Sequence, residues 1–507
     1  MAIKRYKANA DNTIVNAYTN TLNKRGTGSN AGAADVVEIF SIYGRYSTGS
    51  QELSRVLMNF PISDMITDRS SSAIPKSGSV NFYLRLFNAK TSKTVPKDFK
   101  LVVLPVSRSW QEGDGLDLEN YSDLTKNGVG SNWINASSGT TWTTVGGDYL
   151  TGASYPSFTQ SFSNGLEDIE INISELVEKW MAGTINKYGI GIHLSNSYEA
   201  YYSSSTGANT GSIIDNTSGA KKSYYTKRFF ARGSQYFFKR PVIEARWDSA
   251  KRDDRGDFYY SSSLASAANN LNTLYLYNYV RGKLQNIPAI GTGSILVSIY
   301  SGSKDNSSPS GSKLQLYDGE LNLTGGYHST GIYTCSVALT AAATPYKTIY
   351  DVWHKDGTEY FTGSILPKTL TGQAHAREPV YYINITNLRD KYRSNEKARF
   401  NLYVREKYWN PTIYTKANNT ATNISIVSSS YRVYRLLDAY EAIPYGTGSD
   451  FSTGLSYDVS GNYVDVDMNL LEPGYAYGIK FSFYDPELLT WTEQEESFKF
   501  RVESYEY

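Results

Sequence analysis

The side chains whose types and spacing best suit chemistry are aromatic and basic, and they crowd into residues Lys221 to Arg240. This run, KKSYYTKRFFARGSQYFFKR, interleaves seven basic residues with seven aromatic ones and holds no acid. Rings flanked by cations make stacking platforms for single-stranded nucleic acid, and they also furnish protein interfaces. The whole chain carries 50 basic and 49 acidic residues, a net charge of +1. No overall field draws it to nucleic acid or to an anionic membrane, so neither partner is expected. The rings fall in pairs and a triplet, Tyr224-Tyr225, Phe229-Phe230 and Tyr236-Phe237-Phe238. That grouping suits strands whose alternate residues face core and surface. Tyr224, Tyr225, Phe229, Arg232 and Tyr236 are the candidate interface residues of the run.

A second constellation is the acidic segment Trp110 to Glu119, WQEGDGLDLE. Asp114, Asp117 and Glu119 would supply hard oxygen ligands, and the glycines permit the tight turn that a structural calcium site needs. The spacing is not that of an EF-hand loop, and a plain solvated loop is the competing reading. No other cofactor is expected. A third set, Trp133, Trp142, Tyr201 and Tyr202, lies in Gly/Ser/Asn-rich stretches and offers rings for stacking on sugar faces. Asp465 and Asp467 alternate on a strand but point to its solvent side, too local for a glycosidase pair.

Catalytic motifs are missing. The four histidines, His193, His328, His354 and His375, form no HExxH, and there is no nucleophile elbow or Walker A run. His193 is expected to close a strand and His354 to lie in a loop. Cys335 is the only cysteine, so a disulfide within one chain is impossible. The first residues, MAIKRYKANADNTIVNAY, contain no apolar h-region, which predicts synthesis in a cytoplasm without a secretory signal. No stretch of about 18 apolar residues predicts a membrane helix.

The elements that must position these residues are overwhelmingly strands. Val80, Phe82, Leu84 and Leu86 alternate with Asn81, Tyr83, Arg85 and Phe87, and Leu101–Leu104 reads as a fully buried strand. Similar runs recur at 295–299, 400–404 and 498–502, separated by Gly/Ser/Asn/Asp clusters at sandwich-like intervals. One segment breaks the rule. Ile169, Ile171 and Ile173 alternate as in a strand, and then Leu176, Val177, Trp180 and Met181 adopt helical spacing. Asn172 or Ser174 can cap this helix, expected at about 174–182, and Gly183 can end it. Weaker helical patterns occur at 261–270 and 388–396.

Composition breaks at Ser249–Asp257, a charged run, and near 366–379 divide the chain. The expectation is an all-β protein of three sandwich-like domains, 1–248, 258–376 and 377–507, with 249–257 as a linker. The composition also holds 44 tyrosines against 19 phenylalanines. Tyrosine suits wet surfaces where a ring meets both protein and water.

Residues Ile169 to His193 resemble the DNRLRE module, a β-sandwich whose pattern runs strand, short helix ending in Trp, N-x-Y-G turn, strand. The turn here is Asn186-Lys187-Tyr188-Gly189. Other landmarks follow in order: Ser54–Ile62 as an R-x-L-x-x-F-x-(I/L) strand, Trp110-Gln111-Glu112, Thr141-Trp142, and Arg240–Ala245 as the closing R-P-x-(I/L)-x-V strand. Asn59 stands where the pattern has aspartate. The resemblance spans roughly residues 11–247 and implies a sandwich related to modules of bacterial surface proteins, some of which bind polysaccharide. Ala10–Ile14, Arg25–Asn30 and Glu38–Tyr43 resemble virion structural proteins of contractile-tailed phages of marine cyanobacteria. The implied function is a non-enzymatic virion component: a capsid decoration, neck, tail or baseplate accessory. It would contact other virion proteins through tyrosine-rich surfaces, as a homo-oligomer or in many copies per particle, and reside in the virion. The alternative is a carbohydrate-binding adhesin for host surface polysaccharide.

Overall fold

The computed structural model describes residues 2–19, 25–44, 50–92, 94–116, 129–203, 212–302, 309, 311–340, 345–369, 380–407, 423–448, 451–486 and 488–505. The fold is all-β, with 45% strand, 7% helix and several packed sheets. Two compact units divide between Asp248 and Ser249.

In the first unit, Ile3–Lys7, Val242–Arg246, Asn81–Leu86 and Ile169–Asn172 form a four-stranded antiparallel sheet in that spatial order. A seven-stranded sheet faces it, ordered Tyr224–Phe230, Val36–Gly44, Ser50–Asn59, Ile190–Leu194, Phe99–Pro105 and Phe158–Phe162, with Ala10–Val15 also pairing to Ser50–Asn59. The alternation read from the sequence holds for Asn81–Leu84 and then lapses, because Arg85 and Phe87 are buried as well. Phe82, Leu84 and Leu86 are fully buried against Val56, Met58 and Leu101 of the other sheet. Burying apolar area at roughly 25 cal/mol per Å² is the main force holding such sheets face to face.

Two helices close one end of this core. Helix α1 is Ile62–Ser70 and helix α2 is Ser174–Ala182. Helix α2 buries Leu176, Val177 and Trp180 and ends at Gly183, whose φ of +75° is the left-handed conformation that glycine adopts without steric cost. Its start differs from a simple cap. Asn172 Oδ1 accepts from the Ser174 N–H and hydroxyl, and the Ser174 hydroxyl oxygen accepts from the Phe82 N–H, which fastens the helix to the sheet. Helix α1 overturns the expectation of one strand through Ser54–Ile62: the strand stops at Asn59, and Pro61 starts a helix that buries Ile62 and Met65.

The outer side of the seven-stranded sheet carries a second apolar layer. The loop 129–149 folds across it, and Trp133 and Trp142 pack with Ile14, Leu53, Leu57 and Val106. Polar side chains rising from the strands pin the loops down. Asn12 Nδ2 donates to Ser131, and Gln51 Nε2 donates to the carbonyls of Ala200 and Ile214.

The second unit opens with a six-stranded sheet, Asn272–Tyr277, Ile332–Val337, Leu323–Ser329, Ile295–Ser301, Ile349–Lys355 and Thr358–Ile365, wrapped around a core that includes Phe258, Leu274, Tyr333 and Trp353. A further pair of sheets follows. Tyr381–Ile385, Lys397–Glu406, Gly461–Asp467 and Ser456–Asp458 make a four-stranded sheet, and six strands between Lys391 and Glu503 make the other. The helical patterns at 261–270 and 388–396 resolve differently: the first holds a single 3-10 turn, Ala267–Asn270, and the second the strand Lys391–Arg393. Residues 249–257, expected as a linker, are bonded on both sides. Lys251 and Asp253 exchange backbone hydrogen bonds with Tyr457, while Asp254 Oδ2 accepts from the Thr273 N–H at 2.6 Å and its Oδ1 accepts from the Tyr457 hydroxyl at 2.7 Å.

Candidate interaction surfaces

Trp133 and Trp142 are not available for sugar stacking, a correction that follows from their burial. Trp133 is fully buried and Trp142 is 5% exposed. Their indole N–H groups donate to the carbonyls of Ser212, at 2.8 Å, and Asn132, at 2.9 Å. A buried indole with its one donor satisfied is a packing residue. Trp110 behaves alike, donating at 2.8 Å to the Tyr188 carbonyl of the N-x-Y-G turn. Gly189 follows with φ +82°, and a Cβ there would come within 2.1 Å of the Met58 carbonyl. Tyr201 and Tyr202 remain half-exposed, with the Lys221 ammonium 4.7 Å from the Tyr201 ring centre.

The run Lys221–Arg240 separates into core and surface. Tyr224 and Phe229 are buried: Tyr224 packs on Tyr198, and Phe229 meets Phe162 edge-on. Neither can serve an interface. The Arg232 side chain is 39% exposed while its guanidinium grips Glu112 with two bonds of 3.0 and 2.8 Å and its backbone N–H donates to Asp11. Tyr225, 41% exposed, and Tyr236, 49% exposed, face outward as an interface requires. The triplet is no strand; Phe237–Lys239 is a 3-10 turn, and Phe237 is 51% exposed. Cations surround these rings. Lys7 and Arg240 lie over Phe237, and Lys239 approaches Phe230 and Tyr236. Burial, reinforced by Arg5 and Arg240, lowers the Lys7 pKa to about 7. The one buried cation of the run, Lys227, is fully answered by Asn88 Oδ1 and the carbonyls of Gly165 and Glu167.

In the acidic segment, Asp114 is exposed, while Asp117 and Glu119 lie outside the described residues. Both oxygens of neighbouring Glu112 are engaged by Arg232, and Oε1 also accepts from the Asp11 N–H. Among the described residues no group of three His, Cys, Asp or Glu side chains converges as metal ligands would. Asp11 is the unusual acid. It is fully buried, one of its oxygens meets no donor, and burial with the nearby Glu112 charge raises its pKa to about 7 against the Arg232 N–H.

The remaining buried charges are matched in structural pairs. Arg55 holds Glu199 with bonds of 3.0 and 2.9 Å. Burial alone would raise the Glu199 pKa, but Arg55 and His193 draw it down to about 2. Glu244, fully buried on the four-stranded sheet, accepts from Arg5, Arg85 and Arg246. Its cost of burial is outweighed by the three cations, which hold it far below the usual carboxylate range. His193 is buried on its strand with Nδ1 against the Leu194 carbonyl. His354 stands on the strand Ile349–Lys355 instead of in a loop, with Nε2 2.7 Å from the Ser298 hydroxyl. His375 is outside the described residues. Arg255, in an Arg-Gly-Asp tripeptide, is tied to Asp351, which removes it from display. Asp465 pairs with Arg399, and Asp467 caps the next turn. A groove of about 750 Å³ between α1 and α2 is floored by Ile66 and Met181 and spanned by the Arg69–Glu178 pair. No helix among the described residues is long and apolar enough to cross a membrane.

No family model matches the chain, and no curated protein does either. Among solved structures, 28 chains show some likeness, and that of the following three is faint. The Ig1-2 module of the Drosophila receptor tyrosine phosphatase DLAR is 6% identical, over 46% of this chain and 91% of its own, with a TM-score of 0.14. Salmonella α2-macroglobulin reacted with methylamine is 8% identical, over 92% of this chain and 26% of its own, with a TM-score of 0.16. A DUF4785 family protein of Legionella pneumophila is 8% identical, over 92% and 90%, with a TM-score of 0.13. At these TM-scores the likenesses carry no argument.

Proposed function

We propose that this chain is a non-enzymatic structural component of a phage particle that works by binding. The observation that carries the reading is the division of labour among its side chains. Apart from Asp11, the buried charges are matched in scaffold pairs such as Arg55–Glu199 and Glu244 with its three arginines. The surface instead presents rings, with Tyr225 exposed and Tyr236 and Phe237 beside cations in the first unit. Aromatic and cationic side chains are enriched at the energetic centres of protein interfaces. The resemblance of the opening residues to virion structural proteins supports the setting, in which the partners are other virion proteins and copies of the chain itself. Mass spectrometry of purified particles of the phage that encodes it tests this directly. Stoichiometric presence is expected, and particles lacking the chain would end the proposal. Alanine at both Tyr236 and Phe237 should leave the chain folded but absent from particles.

A second reading, polysaccharide adhesion, loses Trp133 and Trp142 to the core and retains Tyr201 and Tyr202. A different surface supports it better.

A further inference from the structure

The outer face of the four-stranded sheet 381–385, 397–406, 461–467 and 456–458 has the composition of a ligand platform. Alternation sends Ile383, Ile385, Phe400, Leu402, Val404 and Val464 into the core. On the opposite face the register sets Tyr382 beside Arg405, Asn384 beside Tyr403, Asn401 beside Tyr463, and Arg399 beside Asp465. Strands lie ~4.8 Å apart and alternate residues along a strand ~6.8 Å apart, so these pairs form successive rungs of one face, on which Tyr463 alone is buried, at 4% exposure. No aliphatic side chain projects from them.

The two ends of this face differ. Arg399 is neutralised by Asp465, with bonds of 2.7 and 3.0 Å, and lies 4.2 Å from the Tyr463 ring centre. Arg405 lies 5.2 Å from the ring centre of Tyr382 and faces no carboxylate among the described residues. Tyr382 is 43% exposed and Tyr403 half-buried.

Amides stand between the rings of this face, and a dehydrated protein contact would leave such groups short of partners. Ring faces, amides and a guanidinium that faces no carboxylate among the described residues match a polyhydroxylated chain. The C–H face of a sugar covers a ring, hydroxyls pair with amide donors and acceptors, and a carboxylate engages the guanidinium fork. We propose that this face binds an acidic polysaccharide of the polyuronate class, with Tyr382 and Tyr403 stacking on sugar rings, Asn384 and Asn401 bonding hydroxyls, and Arg405 pairing with a uronate carboxylate. The proposal deepens the adhesion reading, and it stands or falls separately from residence in a virion, which particle proteomics decides.

Affinity electrophoresis of the full chain through gels containing sodium alginate or dextran is the test. Retardation by alginate and none by dextran is expected. Tyr382→Ala and Tyr403→Ala should each weaken it roughly 3- to 10-fold, the worth of one ring contact. The double variant should run unretarded, and Arg405→Gln should weaken alginate binding by about 10-fold or more. Tyr155→Ala, an exposed ring in the other unit, should bind as wild type, with every variant melting normally. Unretarded wild type, equal retardation by dextran, or undiminished retardation of the folded double variant would overturn the proposal. So would self-association in sedimentation that the double variant abolishes in a chain deaf to alginate, because the face would then be a protein contact.

Discussion

Replacing Trp180 probes the first unit most sharply, because its ring and its N–H make opposite predictions. The ring is fully buried within the inter-sheet core, and its Nε1 meets no acceptor among the described residues. Trp180→Ala removes the ring and leaves a cavity at the point where α2 meets the sheets, a loss of about 3–5 kcal/mol. Trp180→Phe keeps most of the aromatic body and deletes a donor whose unanswered burial costs roughly 1–3 kcal/mol. Lost packing and recovered desolvation nearly cancel, leaving Trp180→Phe within about 1 kcal/mol of wild type. For a unit of this size each kcal/mol moves the midpoint by about 2–4 °C, so Trp180→Ala should lower that transition by about 6–20 °C in scanning calorimetry of the full chain. Urea unfolding followed by far-ultraviolet circular dichroism gives the free energies. A Trp180→Ala protein melting with wild type, or Trp180→Phe as damaging as alanine, would refute the reasoning.

Other expectations concern charge and reactivity. Glu199, with a pKa drawn down to about 2, and Glu244, lowered further, bind fewer protons folded than unfolded; their stabilisation is complete above the ordinary carboxylate pKa of about 4.5 and is lost as pH falls towards 2, which melting temperature against pH will show. Asp11 has the opposite sign, since a rise from 3.8 to about 7 is a penalty of up to roughly 4 kcal/mol above pH 7 that fades below it. Asp11→Asn should therefore raise stability at pH 8 and much less at pH 5; equal effects at both would contradict the assignment. Asp351→Ala strips Arg255 and the Trp353 indole of a shared buried acceptor and should cost about 3–5 kcal/mol in the second unit's unfolding. Cys335, buried with its pKa pushed up to about 12 by burial, should resist iodoacetamide at pH 8 until the chain is unfolded; native labelling detected by mass spectrometry would disprove its burial.

What could be read in the sequence depended on how local its physical cause was. Helix α2 was legible because Leu176, Val177 and Trp180 share one face within a single window and Gly183 marks its end. Helix α1 hides behind an apolar run that continues from strand through Phe60 and Ile62. Its signals were Pro61 before the first turn, Ile62, Met65 and Ile66 at helical spacing, Asp64 early and Arg69 late. Trp133 and Trp142 looked exposed because small polar residues surround them, but their burial comes from a loop folding over a sheet, and the Trp133 acceptor lies 79 residues away. The ion pair of Arg232 was hidden for a similar reason, its partner Glu112 being 120 residues distant. The platform at Tyr382, Tyr403 and Arg405 could not be seen from one strand alone, because it exists only through the register that sets Tyr382 beside Arg405 and Asn384 beside Tyr403.

The run 249–257, the chain's plainest stretch of charge, behaves as mortar. Tyr457 receives both the Lys251–Asp253 backbone contacts and the Asp254 carboxylate, while Thr273 and Asp351 hold the same few residues from the other side. A truncation beginning at Phe258, where the apolar pattern resumes, would cut away the cement that both sandwiches of the second unit share. The natural unit of recombination here therefore begins at Ser249, and a gene fusion that exchanges these sandwiches must carry the charged run along with them.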